Sequence, residues 1–215
     1  IVGINLIIKG AVAKEEIDKS NDIVSEIIDE YENSIDDKRY GIREMYSNQY
    51  GSTVVQEYNN TYNKYLEDCL QDKSFTNNYD GYIDCILDIP DINIYGPVIA
   101  LGNQEYNLSK YLFVTGQNDM LYGYGDYLIM GHQSKVYEHS FNRLDEVVVG
   151  DRIYIHKDDI IDEYIVEKVG LEVNTSSVVY TYGNNTKGDL IILTCTKGHK
   201  QNKPLISIRA KLVLK

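Results

Sequence analysis

Leu190-Ile191-Ile192-Leu193-Thr194-Cys195-Thr196 is a run of four apolar residues that ends on a single cysteine and then turns polar. A short apolar run bounded by Lys197-Gly198 reads as a buried strand, so the thiol is delivered where a strand stops. Cys195 has two readings: a small hydrophobe filling a core, the common fate of a free cysteine, or a nucleophile presented at a strand end. Tyr127-Leu128-Ile129-Met130-Gly131-His132 repeats the arrangement with an imidazole in place of the thiol. Two such strand ends can meet on one face of a barrel.

Outward from these two runs, the chain beyond about residue 80 is punctuated by Gly, Asn, Asp and Pro between short runs rich in Ile, Val, Tyr and Leu. This pattern predicts strands at Tyr82 to Leu87, Val98 to Ala100, Tyr127 to Met130, Arg152 to His156, Tyr164 to Val169, Val178 to Tyr182, Leu190 to Thr194 and Leu205 to Leu214. Eight short strands imply a barrel or a sandwich. Short helical turns are expected at Asn107 to Lys110 and Phe141 to Val147.

Before residue 80 the period is that of a helix. Ile17, Val24, Ile27, Ile28, Tyr31 and Ile35 fall on one face, as do Val54, Val55, Tyr58, Tyr62, Tyr65, Leu66, Cys69 and Leu70 after a Gly51-Ser52-Thr53 start that can cap. Two amphipathic helices pack on each other or on the β region C-terminal to them. The expected organisation is an apolar segment at 1–10, a helical elaboration at 11–79 and a β domain at 80–215. Ile1 to Ile8 is nearly all apolar but too short to cross a bilayer alone. It reads either as the remainder of an N-terminal membrane anchor or as an ordinary buried segment.

Composition narrows the function. The 215 residues carry 33 acidic and 21 basic side chains, a formal charge of −12, which repels phosphate backbones and excludes nucleic acid as the expected partner. Cys69, Cys85 and Cys195 cannot all pair within one chain and match no zinc-ligand spacing. Cys69 sits on a helix face and Cys85 in an apolar run, which leaves Cys195 as the free thiol.

A histidine beside a thiol can act as its base or favour the thiolate, and can then protonate a leaving amine. His132 has that strand-end setting; His139, His156 and His199 lack it and are read as structural. Acyl transfer through a thiol also needs a group to hold the oxyanion. Arg209 is the one arginine after Cys195. It is either that cation or an exposed strand residue.

Further runs fit this order. They are Ile89-Pro90-Asp91-Ile92-Asn93-Ile94 with Pro97-Val98, Tyr122-Gly123-Tyr124-Gly125-Asp126-Tyr127 leading into Gly131-His132, Phe141-Asn142-Arg143-Leu144 with Gly150-Asp151-Arg152-Ile153, and Leu193-Thr194-Cys195-Thr196. As an ordered set over about residues 80 to 215 they resemble the sortase family of Gram-positive surface transpeptidases. The resemblance implies an eight-stranded β-barrel, a His132, Cys195 and Arg209 site, no cofactor, and N-terminal anchoring on the extracellular face of the cell membrane. It implies cleavage of an LPXTG-like sorting signal of surface proteins between Thr and Gly through a thioacyl enzyme, with transfer to a cell-wall precursor amine. The N-terminal helices are similar to those of class B members and the approach to His132 is closer to class A, so the class stays open.

The arginine departs from the family pattern. Aligning Ala210-Lys211 with the family's small-residue and cation pair puts Leu205, not Arg209, at the arginine position. Positions 205 and 209 share a strand face about 13 Å apart. Either the last strand is shifted, or Arg209 serves from a displaced position, or the oxyanion is held otherwise. A sortase-like binding or assembly module with weak transpeptidation is therefore the alternative, and a hydrolytic cysteine peptidase a third. Asp158, Asp159 and Asp162 form an acidic cluster that leaves room for calcium, although such loops are usually just solvated.

Overall fold

The computed structural model describes residues 18–19, 21–33, 54–134, 140–182, 186–197 and 204–214, with the backbone alone over 54–62. Helix α1 covers 21–33 and α2 covers Val54–Gln71, each within the stretch where the sequence has helical spacing. The expected positions Ile17, Ile35 and Gly51 to Thr53 lie outside the described residues.

Beyond α2 come nine strands: β1 Ser74–Phe75, β2 Asp80–Ile89, β3 Ile94–Ala100, β4 Phe113–Thr115, β5 Gly125–Met130, β6 Arg152–Lys157, β7 Ile160–Glu172, β8 Lys187–Cys195 and β9 Leu205–Leu212. They run β1-β2-β3-β4-β5-β8-β9-β7-β6, and β6 also pairs with β2. That last pairing closes β2 to β9 into an eight-stranded barrel and leaves β1 as an appendage. Closure removes the free edges that an open sheet exposes.

Two departures from the sequence reading have physical causes. Val178 to Tyr182 is not a strand, although its β-branched and aromatic residues suggest one; a 3-10 turn at Thr175–Ser177 precedes it, and its ladder contact is a single bridge from Tyr182 to Gly125. The eighth barrel strand is instead β4, three residues long and therefore without a readable period. It pairs parallel to β3 and antiparallel to β5, reached through the short helix α3 Gln104–Ser109, whose Asn103 cap accepts from the Tyr106 N–H at 3.0 Å.

The barrel core contains Leu87, Ile89, Tyr127, Ile129, Ile153, Ile155, Tyr164, Val166, Ile192 and Ile208, all essentially inaccessible. β2 is buried on both faces because the helices cover its outside. Ile27 and Tyr31 of α1 pack on Ile83, Ile86 and Ile99, and Cys69 of α2 packs on Tyr82, Ala100 and Leu101. A register shift between Ile83 and Cys85 changes the phase of β2, which is how Ile83 and Ile86 come to share the helix side.

Asp84 sits in that shift and is fully buried. Its carboxylate takes the Lys157 ammonium at 2.5 Å, the Tyr127 hydroxyl at 2.7 Å and the Tyr122 N–H at 2.7 Å. Lys157 also donates to the Asp84 carbonyl at 2.7 Å and lies over the rings of Tyr82 and Tyr65. Burial works against the charge on Lys157, but the Asp84 carboxylate and the tyrosine oxygens outweigh it and hold the ammonium well above the ordinary lysine range. This lysine continues the inward phase of Ile153 and Ile155 on β6, one residue beyond the strand end expected at His156.

Candidate functional site

β5 and β8 run parallel, with Met130 registered on Leu193. The ladder continues one step further, the Gly131 N–H donating to the Leu193 carbonyl at 3.3 Å, and the Thr194 hydroxyl returns to the Gly131 carbonyl at 3.0 Å. Carrying the register on by two residues brings His132 level with Cys195 at one end of the barrel, about 4.8 Å apart between strands and on the same face. Both residues are exposed. A parallel pair needs a long crossover, and the residues between His132 and Cys195 supply it by building β6 and β7.

Gly131 is fixed by packing. A Cβ there would stand 2.6 Å from the Phe141 ring and 2.9 Å from Phe113, two rings stacked with centroids 4.4 Å apart. The Phe141 N–H then donates to the His132 carbonyl at 3.0 Å, so the chain leaves and returns beside the imidazole. The ring of Tyr111 meets His132 edge-on, with centroids 6.3 Å apart. Nothing in the sequence marked Tyr111, because the contact depends on the turn before β4, where Tyr111 itself has a φ of 62°. Beyond the thiol, Lys197 pairs with Asp145 at 2.8 Å, tying the exit from β8 to the 3-10 turn at Leu144–Glu146.

The other thiols are buried. Burial pushes Cys69 up to about 11 and Cys85 higher still, so neither supplies thiolate near neutral pH. Cys195 is the exposed thiol. Of the histidines read as structural, His156 faces Asp88 at 3.3 Å and the Tyr95 ring, while His139 and His199 lie outside the described residues.

Arg209 is not brought to the pair. β8 and β9 are antiparallel with Cys195 opposite Leu205 and Ile191 opposite Arg209, which puts Arg209 four residues down the strand from the thiol. Its guanidinium instead reaches Asp189 at 2.8 Å and Asp126 at 3.7 Å and donates to the Val179 carbonyl. Of the three expected site residues, the registers bring His132 and Cys195 together and leave Arg209 apart, with half-buried Leu205 opposite the thiol. In this register the residue across from the thiol is Leu205, the position to which the alignment of Ala210-Lys211 assigns the arginine.

The acidic cluster does not converge either. Asp162 accepts from the Tyr122 hydroxyl at 2.6 Å and pairs with Lys187, and no group of three His, Cys, Asp or Glu side chains among the described residues is placed to hold a metal ion. No helix among them is long and apolar enough to cross a membrane.

A closed eight-stranded barrel with a thiol and an imidazole at neighbouring parallel strand ends defines a sortase-type fold. A Sortase domain family model matches residues 87–213, more than half of the chain, and the chain belongs to the sortase family. Among solved structures it is similar to sortase C of Clostridium perfringens with the C-terminal cell wall sorting motif (16% identity, 89% of this chain and 100% of that one, TM-score 0.58). It is also similar to a sortase A lid mutant from Corynebacterium diphtheriae (17%, 96% and 96%, 0.54). A third is a sortase D5 transpeptidase of Clostridium perfringens (21%, 74% and 95%, 0.51). At these identities the likeness is one of fold. No curated protein sequence matches the chain.

Proposed function

We propose that this sortase is a cysteine transpeptidase that cleaves an LPXTG-like sorting signal between Thr and Gly and passes the surface protein to a cell-wall amine. The observation that supports it is the β5–β8 register, which sets His132 level with the exposed thiol of Cys195. The Cys195 sulfur attacks the Thr carbonyl, the C–N bond breaks, and His132 gives its proton to the departing amine. The thioester carbon then accepts the incoming amine, whose proton returns to His132, and the sulfur leaves. In this reading the barrel works on the outer face of the cell membrane, where surface proteins and cell-wall amines meet.

The test is a fluorescent sorting peptide given with and without triglycine. Wild type is expected to yield the amine-joined product and an acyl adduct on Cys195 by mass spectrometry, and Cys195→Ala neither. Cleavage that survives Cys195→Ala would overturn the assignment.

One observation favours a second reading. With Leu205 opposite the thiol and Arg209 committed to Asp189, no side-chain cation on β9 stands beside the carbonyl. On that ground the chain is a surface binding or assembly module with weak transpeptidation. Peptide binding by wild type without any acyl adduct would select it.

A further inference from the structure

A cavity of about 220 Å³ opens between β7, β9 and the 3-10 turn, lined among others by Lys168, Glu172, Ser177, Val179, Ser207 and Arg209. Its place is set by the β8–β9 register. Leu205 is opposite Cys195, Ser207 opposite Leu193 and Arg209 opposite Ile191, so the three share the face of the thiol. The cavity therefore starts about 7 Å and ends about 13 Å along the strand from Cys195, a span of about two to four extended residues.

Most of the charge lining it is already committed. Arg209 is held by Asp189, Asp126 and the Val179 carbonyl. Glu172 accepts from the Ser177 hydroxyl at 3.0 Å. The ammonium of Lys168, across the β7–β9 ladder from Arg209, has no hydrogen bond or ion pair among the described residues. A cation that faces a cavity without a partner is the group left to choose a ligand.

We propose that this cavity is a subsite for the acyl-donor peptide that receives an acidic side chain, Asp or Glu, about two to four residues from the scissile bond, with the Lys168 ammonium as its ion-pair partner. The proposal rests on the transpeptidase reading for the path of the peptide. It makes Lys168 a specificity residue, which binds a carboxylate and takes no part in bond breaking.

The experiment measures binding of fluorescent sorting peptides to Cys195→Ala, with Asp, Asn or Lys placed in turn at the X position, two residues before the scissile bond, and two to four residues after it. At one position Asp is expected to bind about fivefold tighter than Asn, the size of an exposed ion pair. Lys168→Met should erase the difference and Lys168→Glu should transfer the preference to Lys. Equal affinities for Asp and Asn at every position, an Asp preference that persists in Lys168→Met, or tighter binding of Lys peptides by the unaltered cavity would each overturn it. Failure of the transpeptidase reading shows separately, as absence of an acyl adduct on Cys195 in the wild-type chain.

Discussion

At Leu205 one side chain decides what the thiol has opposite it. The ladder pairs its backbone with Cys195, so Leu205→Arg would set a guanidinium where a developing oxyanion can use it. The expected outcome is acyl-adduct formation up to about tenfold faster, followed in single-turnover experiments. Arg209→Ala acts elsewhere: it strips a partly buried carboxylate, Asp189, of its 2.8 Å partner. That change should lower stability by about 1–3 kcal/mol, read from urea denaturation, and leave the rate of the chemical step within about threefold. A loss of adduct formation in Arg209→Ala beyond its loss of folded protein would return Arg209 to the site. Gly131 is the second decisive position at this scale. Gly131→Ala forces a Cβ into the stacked Phe113 and Phe141 rings at 2.9 and 2.6 Å, an overpacking that costs about 1–3 kcal/mol and moves His132. Adduct formation should fall even where the melting curve shows the variant folded.

Among the elements, the segment after the 3-10 turn shows how side chains replace a strand ladder. The Asp126 carboxylate accepts from the Thr181 N–H at 2.9 Å and the Asp189 N–H at 2.7 Å, and the Asp126 N–H donates to the Thr181 carbonyl at 2.7 Å. Tyr182 reaches across to the Leu121 N–H and the Asp119 carbonyl. Gly125, with φ of 104°, permits this close approach, since a Cβ there would stand 2.5 Å from the Thr181 carbonyl oxygen. Asp126→Ala is therefore expected to speed amide exchange at Thr181 and its neighbours while β8 and β9 stay protected. Unchanged exchange there would show that the tyrosines suffice. The same segment marks the limit of reading the sequence. Alternation at Val178 to Tyr182 is real, yet its polar groups are satisfied by residues 30 to 63 positions away in the chain, which no local pattern reports. β4 was hidden for the opposite reason, since three residues carry no period. The long runs, β2, β5, β6, β8 and β9, were legible because burial of alternate or continuous apolar residues needs no distant partner. Of the site, the strand ends holding His132 and Cys195 were legible from the same runs. Tyr111, the commitment of Arg209 and the cavity beside Lys168 depend on register and turn geometry.

For the whole molecule, two charge clusters at different depths set the pH range of stability. Asp189 is desolvated, which opposes its charge, but hydrogen bonds from Lys211 and Arg209 outweigh that and lower its pKa. A carboxyl depressed on folding contributes stability above its unfolded value of about 3.9, and the contribution is lost as pH falls through the folded value. Lys157 is raised, so its contribution is complete below about pH 10.5 and is lost as pH rises through its folded value. Between those limits both clusters hold, and the chain is expected to show a broad plateau in thermal midpoint against pH, with Asp189→Asn reducing the acid slope. The deeper cluster matters more, because the Asp84–Lys157 pair joins β2 to β6 and lies against Tyr65 of α2. Lys157→Met leaves the Asp84 charge buried with only neutral donors and should cost about 3–5 kcal/mol. Adding Asp84→Asn removes that stranded charge, so the double variant should recover most of the loss, since exchanging a whole buried pair for neutral groups is often close to neutral. Comparison of the three unfolding curves decides it: a double variant no more stable than Lys157→Met would mean that the loss comes from removing the ammonium from the Tyr65 and Tyr82 rings rather than from the stranded Asp84 charge.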